Sequence, residues 1–304
     1  MLAATGSRSR PEGRFSPLAA ASSTTAVPSA VSTVGPWGDD LTADIGLTAD
    51  GTAVVELAAA SGLNLPSGRE RDPVTASTYG TGVLIAEAAR LGAQRILVAC
   101  GGSATTDGGA GAIAAIEERG GLRGAGVVVL SDVTTRFADA ARVFGPQKGA
   151  GPAAVELLTA RLEQQALAFL RDHGRDPRTV DRTGAAGGFS GGLWARYGAA
   201  LVSGADYVLD LLDFEQHLAR CNAVVVGEGR LDSQTGQGKI IAAILARSGP
   251  IPVYAVVGSV HEDLGGYTEN FAGVIVASDA AAMTRAGAAI AAACPAHTTG
   301  HALR

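Results

Sequence analysis

Apolar segments of strand length and of helix length alternate along this chain, and this alternation restricts its fold more than any other feature. Each predicted strand is a short run of β-branched and other apolar residues, bounded by glycine, proline or polar residues. The predicted strands are Thr52–Leu57, Arg95–Cys100, Gly126–Leu130, Ala205–Leu209, Ala223–Gly227, Val253–Val257 and Gly273–Ala277.

Segments with apolar residues at helical spacing separate these strands. The longest begins at Pro152 and reaches about Asp172, with Val155, Leu158 and Leu162 on one stripe. The other predicted helices are Gly82–Leu91, Gly108–Glu118, Phe214–Arg220, Lys239–Arg247 and Ala280–Ala293. Strand–helix–strand alternation is typical of βαβ units, so the sequence predicts an α/β fold with a parallel sheet.

Residues 1–32 differ in composition from the rest of the chain. They are rich in Ser, Ala, Arg and Pro, their one acidic residue is Glu12, and they have no sustained periodicity. A segment of this composition buries too little apolar surface to offset the entropy of ordering it. We therefore expect a low-complexity, disordered tail over 1–32 and ordered structure from near Thr33.

Charge and hydropathy exclude several classes of partner. The formal net charge is −5 and no run of Lys or Arg exceeds two residues, so we expect no nucleic-acid partner. The apolar runs are shorter than the roughly 18 residues of a membrane span, so no membrane partner is expected. Cys100, Cys221 and Cys294 form no CxxC pair, which indicates buried, reduced cysteines in a cytoplasmic protein.

The segment Gly101–Gly109 (GGSATTDGG) follows a predicted strand and precedes a predicted helix. Ligands bind beyond the carboxyl ends of strands in such sheets, and glycines at a helix N-terminus let backbone N–H groups approach a phosphate. Ser103, Thr105 and Thr106 would add hydroxyl donors, and Asp107 would hold Mg²⁺ or accept a substrate proton. The alternative is a tight turn in which Asp107 is an N-cap.

Two further glycine-rich segments are less specific. In Phe144–Ala150 (FGPQKGA), Lys148 stands between glycines before a helix, as a phosphate-reaching lysine does; the alternative is a solvated lysine in a turn. The backbone of Gly184–Gly192, which includes Gly187 and Gly188, can approach a ligand closely or act as a hinge. The alternative for this segment is a flexible linker.

The segment Gly227–Lys239 (GEGRLDSQTGQGK) lies between a predicted buried strand and a predicted helix. Phosphoryl transfer needs carboxylates that bind metal and cations that offset developing charge. Glu228 and Asp232 would supply the carboxylates, and Arg230 and Lys239 the cations. A salt-bridged surface loop is the alternative, but the density of charged, amide and glycine residues after a buried strand favours a functional site.

Taken together, these segments resemble those of the bacterial type of glycerate kinase, over roughly residues 33–280. The matching stretches occur in the family's order: TAVVELAAASGL (52–63), STYGTG (77–82), GGSATTDGGAG (101–111), VFGPQKGA (143–150), GAAGG (184–188) and GEGRLDSQTGQGK (227–239). VFGPQKGA and GEGRLDSQTGQGK are specific in combination, whereas GAAGG alone is not.

The resemblance implies ATP-dependent phosphorylation of D-glycerate, usually at the 2-position, with Mg²⁺. It also implies two α/β domains: a Rossmann-like domain with a parallel sheet, built from both chain ends, and a second α/β domain inserted into it. On this chain the inserted domain would span 33–212, and 213–304 would form the C-terminal part of the Rossmann-like domain. The oligomeric state stays open, a homo-oligomer included.

The chemistry and the resemblance together assign roles to particular residues. The residues that would carry the catalysis are Asp107, Lys148, Arg230, Asp232 and Lys239. The residues that would bind Mg²⁺ are Asp107, Glu228 and Asp232. The residues that would line the nucleotide or the substrate are Gly101, Gly102, Ser103, Thr105, Gly187 and Gly188. Which loop binds ATP and which binds glycerate is not determined by these patterns.

The chain departs from the family's pattern in two places. Family members open with a PDSFKGS-type segment followed later by DGGEGT, which this sequence does not contain, and they carry a DVxNPL-like run where this chain has Asp132–Phe137. The first departure makes a truncated homologue that binds ligand without catalysis the alternative. A dinucleotide-binding oxidoreductase needs GxGxxG after its first strand and an acidic residue about 20 positions on, and the chain lacks that arrangement.

Overall fold

A computed structural model of the chain describes residues 26–231, 239–261 and 265–294. The described residues form two compact units, one made of residues 26–208 and the other of the described residues from 209 onward. The described part of the chain contains no helix long and apolar enough to cross a membrane.

The first unit is built on a six-stranded mixed sheet whose strands lie side by side in chain order. Its strands are β1 (Val27–Val34), β2 (Asp40–Leu47), β3 (Thr52–Glu56), β4 (Arg95–Ala99), β5 (Gly126–Leu130) and β6 (Ala200–Val202). The pairs β1–β2 and β2–β3 are antiparallel, and β3 to β6 are parallel. The carboxyl ends of four parallel strands therefore lie at one edge of this sheet.

Helices accompany this sheet. They are α1 (Ala58–Ser61), α2 (Tyr79–Arg90), α3 (Ala110–Glu118), α4 (Ala140–Phe144), α5 (Pro152–His173), α6 (Phe189–Tyr197) and α7 (Gly204–Leu211), with short 3₁₀ turns at Phe137–Asp139, Pro146–Lys148 and Pro177–Thr179. Helices α4 and α5 pack together in a separate apolar cluster, and α7 ends just beyond the first unit. Val83, Leu84 and Ile85 of α2 are buried in the main core with Ile96 and Val98 of β4. That core consists largely of Ala, Val, Leu and Ile, which suits close packing of helices on a parallel sheet.

The second unit has a three-stranded parallel sheet in the order β7 (Val224–Leu231), β8 (Val253–Val260), β9 (Gly273–Val276). Its helices are α8 (Phe214–Leu218), α9 (Lys239–Arg247) and α10 (Ala280–Ala293), with a 3₁₀ turn at Gly265–Asn270. Asp279 caps α10, because its carboxylate accepts a hydrogen bond of 2.7 Å from the Ala282 N–H. Both units thus place helices on parallel strands, which confirms the α/β prediction.

Two predictions about secondary structure are wrong. The segment Ala205–Leu209, predicted as a strand, lies in α7, where Ala205 and Leu209 are buried four residues apart, at the helical period. Ordered structure begins earlier than Thr33, because β1 starts at Val27 within the segment predicted as a tail. The Ser and Thr residues between its apolar positions obscure the alternation, although Val31 and Thr33 are both buried.

The cysteines are free, but their burial differs from the prediction. Cys100 is buried at the end of β4 and Cys294 is half-buried, whereas Cys221 is exposed. Cys221 lies three residues past α8, where its Sγ donates a hydrogen bond of 3.1 Å to the His217 carbonyl instead of packing under β7. The prediction of a buried Cys221 is therefore wrong.

Candidate functional site

The Gly101–Gly109 loop leaves the sheet at the carboxyl end of β4 and leads into α3. Two antiparallel backbone hydrogen bonds of 2.9 Å fix its first half, from Leu63 N to the Gly102 carbonyl and from Ala104 N to the Ser61 carbonyl. The loop is therefore held in one conformation by the chain that follows β3, and it lies where α/β folds bind their ligands.

Backbone donors are available in the first part of this loop. The hydrogen bonds of the described residues use none of the backbone N–H groups of Gly101, Gly102 and Ser103. Gly101 and Gly102 are exposed, and Gly102 has a φ of +69°, a conformation that glycine adopts without strain. Successive free N–H groups in such a turn can bind an anion such as a phosphate or a carboxylate.

Asp107 is buried, and backbone and hydroxyl donors surround its carboxylate. Oδ2 accepts hydrogen bonds from Thr78 N and Thr78 Oγ1, both at 2.8 Å, and from Gly111 N at 3.2 Å. Oδ1 accepts one hydrogen bond, from Gly109 N at 3.1 Å. The N-cap residue of α3 is Gly109, so the alternative of Asp107 as N-cap is wrong, although Asp107 Oδ2 bonds the Gly111 N–H in the first turn of α3. Oδ1 keeps acceptor capacity for a further partner.

Lys148 contacts the same loop from the Pro146–Lys148 turn. Its side chain is 7% exposed, and Nζ donates a hydrogen bond of 2.6 Å to the Thr105 carbonyl. Burial lowers the pKa of Lys148 to about 8, against the opposing effect of the Asp107 charge, which stabilises the ammonium. The alternative of a solvated lysine is therefore wrong: at pH 7 this is a buried cation beside the loop.

We expect Lys148→Ala to lower kcat/KM at least about tenfold without unfolding the chain, because the loop loses a charge-assisted anchor near Asp107. Gln147→Ala is the matched control, since Gln147 is exposed in the same turn. Steady-state kinetics with the substrate proposed below, together with melting curves, check the pair. Wild-type kcat/KM in the Lys148 variant would remove Lys148 from the mechanism.

The Gly184–Gly192 segment is buried and packs against the Gly101–Gly109 loop, so the alternative of a flexible linker is wrong. Gly108 N donates a hydrogen bond of 3.0 Å to the Gly187 carbonyl. A Cβ on Gly187 would lie 2.1 Å from the Thr105 carbonyl oxygen, and one on Gly188 would lie 3.0 Å from the Gly108 Cα. Close approach of two backbones therefore requires glycine at these two positions.

Two residues that sequence reasoning did not select complete the surroundings of Asp107. Thr78 reaches it from the start of α2, 29 residues away in sequence. Gln165 reaches it from α5, 58 residues away, and its Nε2 donates a hydrogen bond of 2.9 Å to the Asp107 carbonyl. Thr78 lies in the STYGTG stretch, which offered a signal, whereas no pattern in the sequence marks Gln165.

Residues predicted from the Gly227–Lys239 segment belong to the second unit. Glu228 is half-buried and Arg230 exposed, and both lie on β7, which continues to Leu231 beyond the predicted end of the strand. Asp232 lies outside the described residues, and so does the side chain of Lys239. Among the residues that the structure describes, no three His, Cys, Asp or Glu side chains come together as a metal cluster.

The first-unit loop thus combines two chemical capabilities within seven positions of the sequence. It presents free backbone N–H groups at Gly101–Ser103, which favour an anionic ligand, and a carboxylate oxygen at Asp107, which can accept a proton or ligate a cation. Thr105 lies between them and is fully buried, and Lys148 binds its carbonyl. Such a set suits a reaction at a hydroxyl of an anionic substrate.

Comparisons with known proteins agree on one family. The model of the glycerate kinase family matches residues 12–121 and 117–294. Glycerate 2-kinase of Escherichia coli (strain K12) is 36% identical over 265 residues, which cover 76% of this chain and 70% of the relative. Glycerate kinase of Bacillus subtilis (strain 168) is 37% identical over 263 residues, which cover 75% and 69%.

A solved structure is similar over most of the chain. A protein from Salmonella typhimurium LT2, named as a glycerate kinase 2, superposes with a TM-score of 0.73 at 31% sequence identity. The superposition covers 89% of this chain and 84% of that chain.

Proposed function

Since the chain belongs to the glycerate kinase family, we propose that it transfers the γ-phosphoryl group of ATP to the 2-hydroxyl of D-glycerate. The observation that carries the proposal is the Asp107 loop at the carboxyl end of β4. There, a carboxylate oxygen that accepts a single hydrogen bond occurs together with free backbone N–H groups. The product would be 2-phosphoglycerate. The relative named glycerate 2-kinase supports this choice of isomer.

The proposed reaction needs a group that takes the proton from the substrate hydroxyl. As the glycerate 2-oxygen forms its bond to the γ-phosphorus, the bond from that phosphorus to the ADP oxygen breaks and the hydroxyl proton moves to Asp107 Oδ1. Asp107 Oδ2 already accepts three hydrogen bonds, so Oδ1 is the oxygen with room for this proton. Phosphoryl transfer depends mainly on position and charge, and a fixed carboxylate suits both needs.

Cations and backbone donors would offset the negative charge of the reactants. Lys148 places an ammonium beside the loop, and the N–H groups of Gly101, Gly102 and Ser103 would bind a carboxylate or phosphate oxygen. Thr105, Gly187 and Gly188 would act through the shape of the loop, because they are buried in its packing. That Arg230 and Lys239 of the second unit offset phosphate charge stays a prediction from the sequence.

The donor set also fits Mg²⁺. Nucleotide-bound Mg²⁺ is usually held by one or two protein carboxylates together with phosphate oxygens and water, so a cluster of three acidic residues is not required. Glu228 and Asp232 of the second unit are the carboxylates that would hold it, since Asp107 Oδ1 takes the substrate proton. When bound, Mg²⁺ would offset phosphate charge.

The proposal is tested by the identity of the product. Phosphorus NMR of the purified chain incubated with ATP, Mg²⁺ and D-glycerate should show a new phosphomonoester that co-resonates with added 2-phosphoglycerate. L-glycerate, which has the opposite configuration at C2, and D-lactate, in which a methyl group replaces the hydroxymethyl group, are the matched substrates and should react more slowly. A product that co-resonates with 3-phosphoglycerate would contradict the choice of hydroxyl, and no phosphomonoester at all would contradict the proposed function.

A further inference from the structure

Thr78 is bound to Asp107 more closely than any other described residue. It is the N-cap residue of α2 and has no exposed surface. Its backbone N and its Oγ1 each donate a hydrogen bond of 2.8 Å to Asp107 Oδ2. Thr78 Oγ1 also accepts a hydrogen bond of 3.0 Å from Ala112 N. Because a hydroxyl has one hydrogen, this arrangement directs that hydrogen at Asp107.

The two carboxylate oxygens of Asp107 are consequently unequal. Oδ2 has three donors, two of them from Thr78, whereas Oδ1 has the Gly109 N–H alone. Rotating the carboxylate by half a turn would exchange the oxygens without changing these partners, but any smaller rotation would break the bonds from Thr78. The plane of the carboxylate is therefore set by Thr78, and with it the direction of the spare lone pair.

We propose that Thr78 is a positioning residue for phosphoryl transfer: its N–H and hydroxyl fix the plane of the Asp107 carboxylate, so that the less-bonded oxygen faces the substrate hydroxyl. The inference rests on the proposed function of Asp107. Thr78 acts through that carboxylate and has no exposed surface with which to meet a ligand itself. Small errors of position in such a group cost large factors in rate.

The chain offers a matched control for Thr78 in the same helix. Thr81 lies three residues on, also has no exposed surface, and its hydroxyl donates to the Leu57 carbonyl at 3.3 Å and contacts Ser61 Oγ at 2.7 Å. No hydrogen bond joins Thr81 to Asp107. Thr81→Val therefore removes a buried, bonded hydroxyl of equal size without touching the carboxylate.

The test compares Thr78→Val, Thr78→Ser and Thr81→Val by steady-state kinetics. Thr78→Val should lower kcat on the order of 10- to 100-fold, with KM for D-glycerate and ATP within about twofold of wild type. Thr78→Ser keeps the hydroxyl and should stay within about threefold of the wild-type kcat. Thr81→Val should lower the melting temperature as Thr78→Val does and keep the wild-type kcat.

Two kinetic outcomes would overturn the inference. One is a wild-type kcat in Thr78→Val. The other is an equal loss of kcat in Thr81→Val, which would show that any buried hydroxyl lost from α2 has the same effect.

Crystal structures of the wild type and of Thr78→Val separate this inference from the proposed function. If the wild type releases no ADP with D-glycerate, the proposed function fails, and the two structures still decide whether Thr78 fixes the carboxylate. We expect the Asp107 carboxylate to turn or to adopt two orientations in Thr78→Val. An unchanged carboxylate plane would overturn the inference.

Discussion

Replacing Asp107 with Asn is expected to lower kcat for D-glycerate by about 10²- to 10⁴-fold, the range that a general base contributes. The Asn side-chain oxygen can take the place of Oδ2 and keep the hydrogen bonds from Thr78 and Gly111. The NH₂ group of Asn then takes the place of Oδ1. It cannot accept a proton from the substrate, and it faces the Gly109 N–H, so that two hydrogen-bond donors oppose each other. The chain should therefore fold, with some loss of stability, and turn over slowly.

A matched control is Asp50→Asn in the turn between β2 and β3. Asp50 accepts hydrogen bonds from Thr48 Oγ1 and from Thr52 N, so the substitution perturbs a similar bonding pattern at the amino end of β3. We expect the Asp50 variant to keep the wild-type kcat. The kcat of Asp107→Asn should be at least about 10²-fold below that of Asp50→Asn. If the two values of kcat lie within about threefold of each other, Asp107 is not the base.

Gly187→Ala is expected to destabilise the first unit by about 3 kcal/mol or more, because strain and overlap add at this position. Gly187 has a φ of +68°, and its added Cβ would lie 2.1 Å from the Thr105 carbonyl oxygen and 2.5 Å from the Thr106 Cα. The atoms in the way are backbone, so relief requires the Gly101–Gly109 loop to move. Activity should fall with stability, since the displaced loop carries Asp107.

Gly174→Ala separates strain from overlap. Gly174 has the same φ of +68° at the end of α5, and its added Cβ meets nothing within 4 Å. This variant should lower the free energy of unfolding by about 1–2 kcal/mol, the cost of placing alanine in the left-handed conformation. Both tryptophans of the chain, Trp37 and Trp194, belong to the first unit, so fluorescence during urea unfolding reports on that unit. Equal midpoints for the two variants would contradict the packing account.

The sequence predicts those parts of the fold that local patterns encode. Strand β5 and helices α9 and α10 have the predicted bounds, because each short apolar run or helical stripe begins there at or just after a glycine or a capping residue. A five-residue segment such as Ala205–Leu209, with Asp206 among apolar residues, does not distinguish strand from helix, and the strand predicted there is part of α7. Strand β1 was missed because its buried positions include Thr33, which hydropathy does not mark as core.

The candidate site was predictable only in part, for a similar reason. Glycine, hydroxyl and carboxylate residues crowd into Gly101–Gly109, so Asp107 is visible in the sequence as a candidate. Its partners Thr78 and Gln165 come from other elements, and only the tertiary fold brings them to it. The packing role of Gly187 is likewise not visible in the sequence, because a glycine needed for backbone packing and one needed for a ligand or a hinge look the same there.

Glycerate-dependent ADP release tests most directly whether this chain phosphorylates D-glycerate. The purified 304-residue chain should release ADP from ATP at a rate that rises and saturates with D-glycerate, and Asp107→Asn should abolish most of that rise. Tryptophan fluorescence would show in the same samples that the first unit is folded. A folded wild-type chain whose ADP release is the same with and without D-glycerate would contradict the claim.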